Sequence, residues 1–163
     1  MSGQREVLHI QAIDHIVLTV RDTEQSAIWY EKVLGARREN YAAQHSNNAT
    51  GTDNENTVAD KKITPAQRIS LKFGWQKINL RPIEASATNW FTAQNPQIGS
   101  ADLCFLVNLP PEEIIQYLKT NNIAIEEGPV TKTGARGAIC SVYCRDPDGN
   151  LIELSSYPKA VQA

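Results

Sequence analysis

No stretch of this chain approaches the about 18 consecutive apolar residues that a membrane-spanning helix needs, so no membrane span is expected. Basic residues are few and scattered. Sixteen Lys and Arg stand against 18 Asp and Glu, a formal net charge of -2, which leaves no electrostatic footprint for nucleic acid. Cysteine is scarce and odd in number. Cys104, Cys140 and Cys144 sit in apolar, strand-like segments, where reduced core thiols fit better than a disulfide framework, with a Cys140/Cys144 metal pair as the alternative. Between Met1 and Gln11 there are charges at Arg5 and Glu6 but no apolar signal region, so a cytoplasmic location is expected. At 163 residues and 41% hydrophobic content, the chain suits one domain, which at this size buries roughly 70% of its unfolded surface.

What the chain does contain is a repeat. Ile13 to Val20 superposes on Ser100 to Val107 at a shift of 87, which sets His15 on Asp102, Leu18 on Phe105 and, beyond the strand, Tyr30 on Tyr117. In the first strand Ile16, Leu18 and Val20 alternate with His15, Val17 and Thr19, giving one apolar and one polar face. The helix after it begins at Asp22 as N-cap, carries Ala27, Tyr30, Val33 and Leu34 inward, and stops at Gly35. Its counterpart starts at Pro110-Pro111 with Glu112 and Glu113 in the first turn, packs Ile114, Ile115 and Leu118, and ends at Asn121-Asn122.

Strand signals follow each helix: 68–73 and 76–81 in the first half, 138–145 and 151–156 in the second. In the second half Asp146 to Asn150 reads as a turn because Pro147 fixes φ and Gly149 accepts a positive one. Ile78-Asn79-Leu80 matches Ile152-Glu153-Leu154 at a shift of 74. The two shifts, 87 and 74, leave 13 extra residues in the first half; they fall in 42–62, an Asn/Thr/Asp-rich stretch without periodicity that reads as a surface loop. The expected fold class is α+β, two βαβββ modules at 10–84 and 98–157 within a single domain at 10–157.

His15, Asn79, Asp102 and Glu153 occupy the polar faces of the first and last strands of the two modules. One at a time, each is an ordinary solvated strand residue; at equivalent positions of a repeat they become a candidate site. The loop 131–137 adds Lys132 and Arg136 on a glycine-flanked backbone able to approach an anion, and Arg81 points to the same side as Asn79.

The segments His15 to Val20, Trp29 to Gly35 and Tyr143 to Leu154 resemble the opening and closing signatures of the glyoxalase/bleomycin-resistance (vicinal oxygen chelate) superfamily. The stretches 99–104 and 126–137 are similar to its branch called glyoxalase domain-containing protein 5. The resemblance implies a cupped eight-stranded sheet formed by the paired modules, holding a divalent metal ion on side chains of the first and last strands. On that basis His15, Asp102 and Glu153 are the metal ligands, and Asn79 stands where family members usually place glutamate or glutamine. Glu153 and Tyr143 are the implied catalytic residues, while Arg136, Lys132, Tyr143, Arg81 and Asn79 bind substrate; fosfomycin-resistance members have a tyrosine where Tyr143 stands.

Asparagine offers only a neutral carbonyl, so three ligands are expected rather than four. One imidazole and two carboxylates form a hard set that favours manganese, iron or magnesium, with zinc and nickel as further options. The implied function is a divalent-metal-dependent enzyme acting on a small anionic metabolite or toxin by glyoxalase-type isomerisation, epoxide opening or oxygen-dependent oxidation, assembled as a homodimer. The alternative is a metal-free protein that sequesters a small molecule, of the bleomycin-resistance type.

Overall fold

The computed structural model describes residues 8–41 and 68–158; the insertion at 42–62 lies outside the described residues. The order of elements is β1 (His15–Val20), α1 (Thr23–Leu34), β2 (Arg37–Asn40), β3 (Ile69–Phe73), β4 (Gln76–Pro82), β5 (Asp102–Leu106), α2 (Pro111–Thr120), β6 (Ile125–Gly134), β7 (Gly137–Arg145) and β8 (Leu151–Ser156). Eight strands divide into two four-stranded sheets of the same order, β1-β4-β3-β2 and β5-β8-β7-β6. In each, the first strand of a module lies at the sheet edge and runs parallel to the last strand of that module: His15 faces Lys77 as Asp102 faces Leu151. Lys77 and Leu151 are themselves related by the shift of 74, so strand, helix and pairing register repeat together.

Local chemistry sets the helix ends. The Asp22 carboxylate accepts from the backbone N–H groups of Glu24 and Gln25, a cap worth about 0.5 to 2 kcal/mol, and Gly35 closes α1 in the left-handed region at φ 64°. Two strands, β2 of four residues and β6 of ten, carry no strand signal in the sequence. β2 consists of Arg37, Arg38, Glu39 and Asn40, polar throughout, and β6 has no clean alternation because its pairing with β7 slips twice between Ile125 and Val130. The segment 131–137, expected to be a loop, is mostly strand: residues 131–134 belong to β6, and only Ala135 and Arg136 form the turn.

The apolar faces of both sheets meet in one core. Leu18, Ala27, Tyr30, Val33, Leu71 and Ile78 from the first module join Ile114, Leu118, Val142, Ile152 and Leu154 from the second. Polar contacts tie the modules on that same side. The buried Tyr30 hydroxyl donates to Asp146 Oδ2 at 2.9 Å, the Ser26 hydroxyl and the Arg21 N–H donate to Asp148, and the Tyr117 hydroxyl donates to the Lys32 carbonyl. Burial, and then the neighbouring Asp146 carboxylate, push the Tyr30 phenol far above its ordinary range, so it remains a donor at any physiological pH. Cys144 is buried as expected and its thiol is pushed up to about 11, chiefly by burial. Cys104 is exposed, contrary to the core expectation, because it alternates with Leu103 and Phe105 onto the polar face. No helix among the described residues is long and apolar enough to cross a membrane.

Candidate functional site

Strand alternation puts the candidate residues on the sheet faces that turn away from the common core. On the first sheet this face carries His15, Val17 and Thr19 of β1 and Lys77, Asn79 and Arg81 of β4; on the second it carries Asp102, Cys104 and Leu106 of β5 with Ser141, Tyr143, Glu153 and Ser155. A cavity of about 280 Å³ does lie between the modules. It is on the opposite, helix side, lined by groups such as Tyr30, Leu34, Phe73 and Phe105, and it contains none of the candidate residues.

Glu153 is the best-organised group on the second face. The hydroxyls of Ser141 and Ser155 donate to its Oε1 at 2.5 and 3.0 Å and lie 2.8 Å from each other, while Tyr143 sits directly across from it on β7. Burial opposes ionisation of Glu153, but hydrogen bonds from Ser141, Ser155, Tyr143 and Cys104 outweigh it and hold the carboxyl below the usual range. Tyr143 responds in the opposite sense. Burial and its bond to the Glu153 carboxylate push its phenol up to about 12, which keeps it a proton donor near neutrality. Cys104, Ser141 and Ser155 were missed by the sequence reading. The signal was there in the two-residue alternation, Ser141 and Ser155 each standing two positions from a named candidate, but serines on a strand face carry no motif of their own.

His15, on the first face, is held through one ring nitrogen. Its Nδ1 lies 2.7 Å from Asp14 Oδ1, and the same hydrogen bond holds the Asp14 carboxyl below its ordinary value. A histidine that donates from Nδ1 to a carboxylate presents the Nε2 lone pair outward, the arrangement that orients imidazoles toward metal ions. Asp102 is exposed at the start of β5, and across the parallel pair Glu153 faces Cys104, so Asp102 is its diagonal neighbour.

Within one chain these donors do not fit a metal ion. Among the described residues no group of three or more His, Cys, Asp and Glu lies close enough to hold one. Asp102 and Glu153 share a face, but His15 lies on the other sheet, on a face directed away from the shared core. Lys132 stays with the second face, its ammonium 5.5 Å from the Tyr143 ring centroid and 3.7 Å from Glu127. Arg136 does not join them. Its guanidinium stacks on Tyr157 at 4.2 Å, in a groove shared with Cys140 and Ser156, residues of opposite alternation to Ser141 and Glu153. Asn79 and Arg81 are both buried on the first face, and Asn79 Oδ1 has no hydrogen-bond partner among the described residues.

Two sheets of one order, each presenting a polar face built from its first and last strands, define a duplicated βαβββ protein. Residues 12–154 match the Glyoxalase/Bleomycin resistance protein/Dioxygenase superfamily, and the chain belongs to that superfamily. It is 40% identical over 148 residues to virulence protein STM3117 of Salmonella typhimurium, covering 91% of this chain and 85% of that one. It is 34% identical over 157 residues to the glyoxalase domain-containing protein RDO1 of Mycosarcoma maydis, covering 96% and 74%. Among solved structures, an integron cassette protein from the mobile metagenome of V. cholerae superposes with a TM-score of 0.75 at 38% identity, over 94% of this chain and 100% of that one. A lactoylglutathione lyase from Agrobacterium tumefaciens (TM-score 0.59, 21% identical, 90% and 94% covered) shares the fold. So does the antibiotic-binding protein TnmS3 from Streptomyces (0.60, 17%, 93% and 100%).

Proposed function

We propose that two copies of this chain form a dimer in which the polar face of the first sheet of one copy meets the polar face of the second sheet of the other. There a divalent ion is held by His15 together with Asp102 and Glu153 of the partner subunit. The observation that carries this reading is that the two best-prepared donors, the Asp14-oriented imidazole of His15 and the serine-bound carboxylate of Glu153, stand on faces that turn away from their own chain's core. Charge supports the pairing as well, since the first face is basic at Lys77 and Arg81 and the second carries Asp102 and Glu153. Exposed apolar groups on both faces, Val17 at 39% and Leu106 at 58%, give such an interface surface to bury.

The activity is that of a metal-dependent enzyme of the superfamily acting on a small anionic molecule, of isomerising, epoxide-opening or oxygen-dependent type. The bound ion supplies Lewis acidity to vicinal oxygens of the substrate. Tyr143 holds a phenolic proton beside the Glu153 carboxylate, in position to donate to a substrate oxygen, while Lys132 sets a cation next to the Tyr143 ring. Arg81 and Asn79 meet the substrate from the opposing sheet. Arg136 would act only from the rim, through the groove it shares with Tyr157.

A second reading is favoured by Asn79, which puts a neutral amide where a fourth charged ligand would stand: a metal-free protein that sequesters a small molecule between the two faces. Elemental analysis of protein purified without chelator separates the two. The enzyme reading expects stoichiometric divalent metal and a fall in Tm on chelation that Mn²⁺ or Fe²⁺ reverses; metal-free protein whose Tm ignores all of these ions supports sequestration.

A further inference from the structure

Two basic groups of the first sheet, the buried Arg81 and the half-buried Arg68, stand where the second sheet has serines. Glu153 corresponds to Asn79 and Ser155 to Arg81 at the shift of 74. Ser141 faces Ser155 across β7 and β8, and continuing the β3–β4 register by one residue sets Arg68 opposite Arg81. Where the second module sets two serines on the face beside its carboxylate, the first sets two arginines on the face that carries its neutral amide.

Two like charges opposite each other on a sheet repel, and a buried cation without a counter-charge is costly. Arg81 is 3% exposed, yet it donates only to neutral acceptors, the Pro82 and Ala85 carbonyls, and its Nε has no partner among the described residues. Arg68 donates to the Asn89 carbonyl at 2.6 Å and stacks under Trp90 at 4.4 Å; its Nε is equally unpaired. Neither arginine has a carboxylate within ion-pair distance among the described residues.

The unsatisfied groups specify their complement. Two guanidinium N–H donors call for an oxyanion, and the unpaired Asn79 Oδ1 calls for a donor. We propose that Arg81, Arg68 and Asn79 form a binding site for a small oxyanion that also carries a hydroxyl, a 2-hydroxycarboxylate or hydrogen phosphate, with the Trp90 indole covering it. This deepens the reading of the face as a substrate site and rests on it, but the oxyanion contacts themselves need no metal. Replacing Ser141 and Ser155 of the second module by arginines in the first converts a pair that orients the protein's own carboxylate into one that awaits a ligand's.

The test is fluorescence titration of the full-length protein in EDTA with glycolate, acetate, inorganic phosphate and chloride, with Trp90→Phe identifying the reporting indole. Saturable change with glycolate or phosphate is expected, and glycolate binding roughly tenfold tighter than acetate, the weight of one hydrogen bond to the hydroxyl. Saturation by glycolate alone assigns the site to a hydroxy acid, and by phosphate alone to a phosphate group. Arg68→Gln, at a half-buried position, and Arg81→Gln should each abolish the change; Arg81→Met should raise the Tm of ligand-free protein by removing a buried unpaired charge while losing the response. The proposal is overturned if none of the anions differs from chloride, if acetate binds as tightly as glycolate, or if Arg68→Gln responds like wild type. Because EDTA is present throughout, loss of anion binding is distinguishable from loss of the metal site, which elemental analysis reads separately.

Discussion

Asn79 and Glu153 hold the same position in the two sheets, Asn79 facing Ser70 across β3 and β4 as Glu153 faces Tyr143 across β7 and β8, yet their surroundings are opposite in sign. Asn79 is a neutral amide with an unpaired oxygen beside a buried guanidinium; Glu153 is a carboxylate held by hydroxyls. Duplication kept the backbone and let the two faces diverge in charge. A face that is basic and a face that is acidic gain more from meeting each other than from meeting their own kind.

The depressed Glu153 carboxyl makes a pH prediction in metal-free protein. A carboxylate held below its unfolded value contributes stability that is fully present above the ordinary glutamate value of about 4.3 and is lost as pH falls through the folded one. Comparing wild type with Glu153→Gln in EDTA, the gap in Tm should be largest near neutral pH and shrink between about pH 5 and pH 3. A gap that stays constant with pH would show that the Ser141 and Ser155 bonds do not favour the charged form.

Tyr30→Phe probes the joint between modules. It removes one hydroxyl from the core and leaves Asp146, which is 5% exposed, with only the Asp148 and Asn150 donors. Chemical denaturation should show a loss of about 1.5 to 3 kcal/mol, the range for a hydrogen bond to a charged acceptor. A loss below about 0.5 kcal/mol would mean that water replaces the phenol without cost.

These residues also mark what the sequence could and could not reveal. The repeat, both helices with their caps, and the turn at Asp146 were legible because periodicity and capping chemistry are local. β2 was not, since four polar residues show no period, nor was β6, where register slips erase the alternation. Cys104 was misplaced by composition when alternation alone would have assigned its face. Arg136 was read as a pocket cation from the glycines around it, but only tertiary structure places Tyr157 where it captures the guanidinium. The arginines of the first sheet were the least legible feature: Arg81 is held by the Ala85 carbonyl and Arg68 lies against Trp90, and their placement opposite each other follows from a register that sequence does not give.

The proposed dimer depends on apolar contact between the polar-edged faces. Val17→Asp and Leu106→Asp each place a charge on an exposed site that the monomer tolerates, so the fold should persist by circular dichroism while light scattering shows the mass falling from dimer to monomer. The dissociation constant should rise at least tenfold, since burying one uncompensated carboxylate costs more than about 1.4 kcal/mol. Unchanged mass in both variants would move the interface elsewhere.

The most direct test mixes two defective chains. His15→Ala and Glu153→Gln, purified separately, should each lack stoichiometric metal by elemental analysis. If the ion is held by His15 of one copy and Glu153 of the partner subunit, a heterodimer of the two has one site with both lesions and one with neither, and should regain about one ion per dimer, half the wild-type content. A mixture that exchanges subunits yet stays as metal-free as its components would contradict a site assembled between two copies.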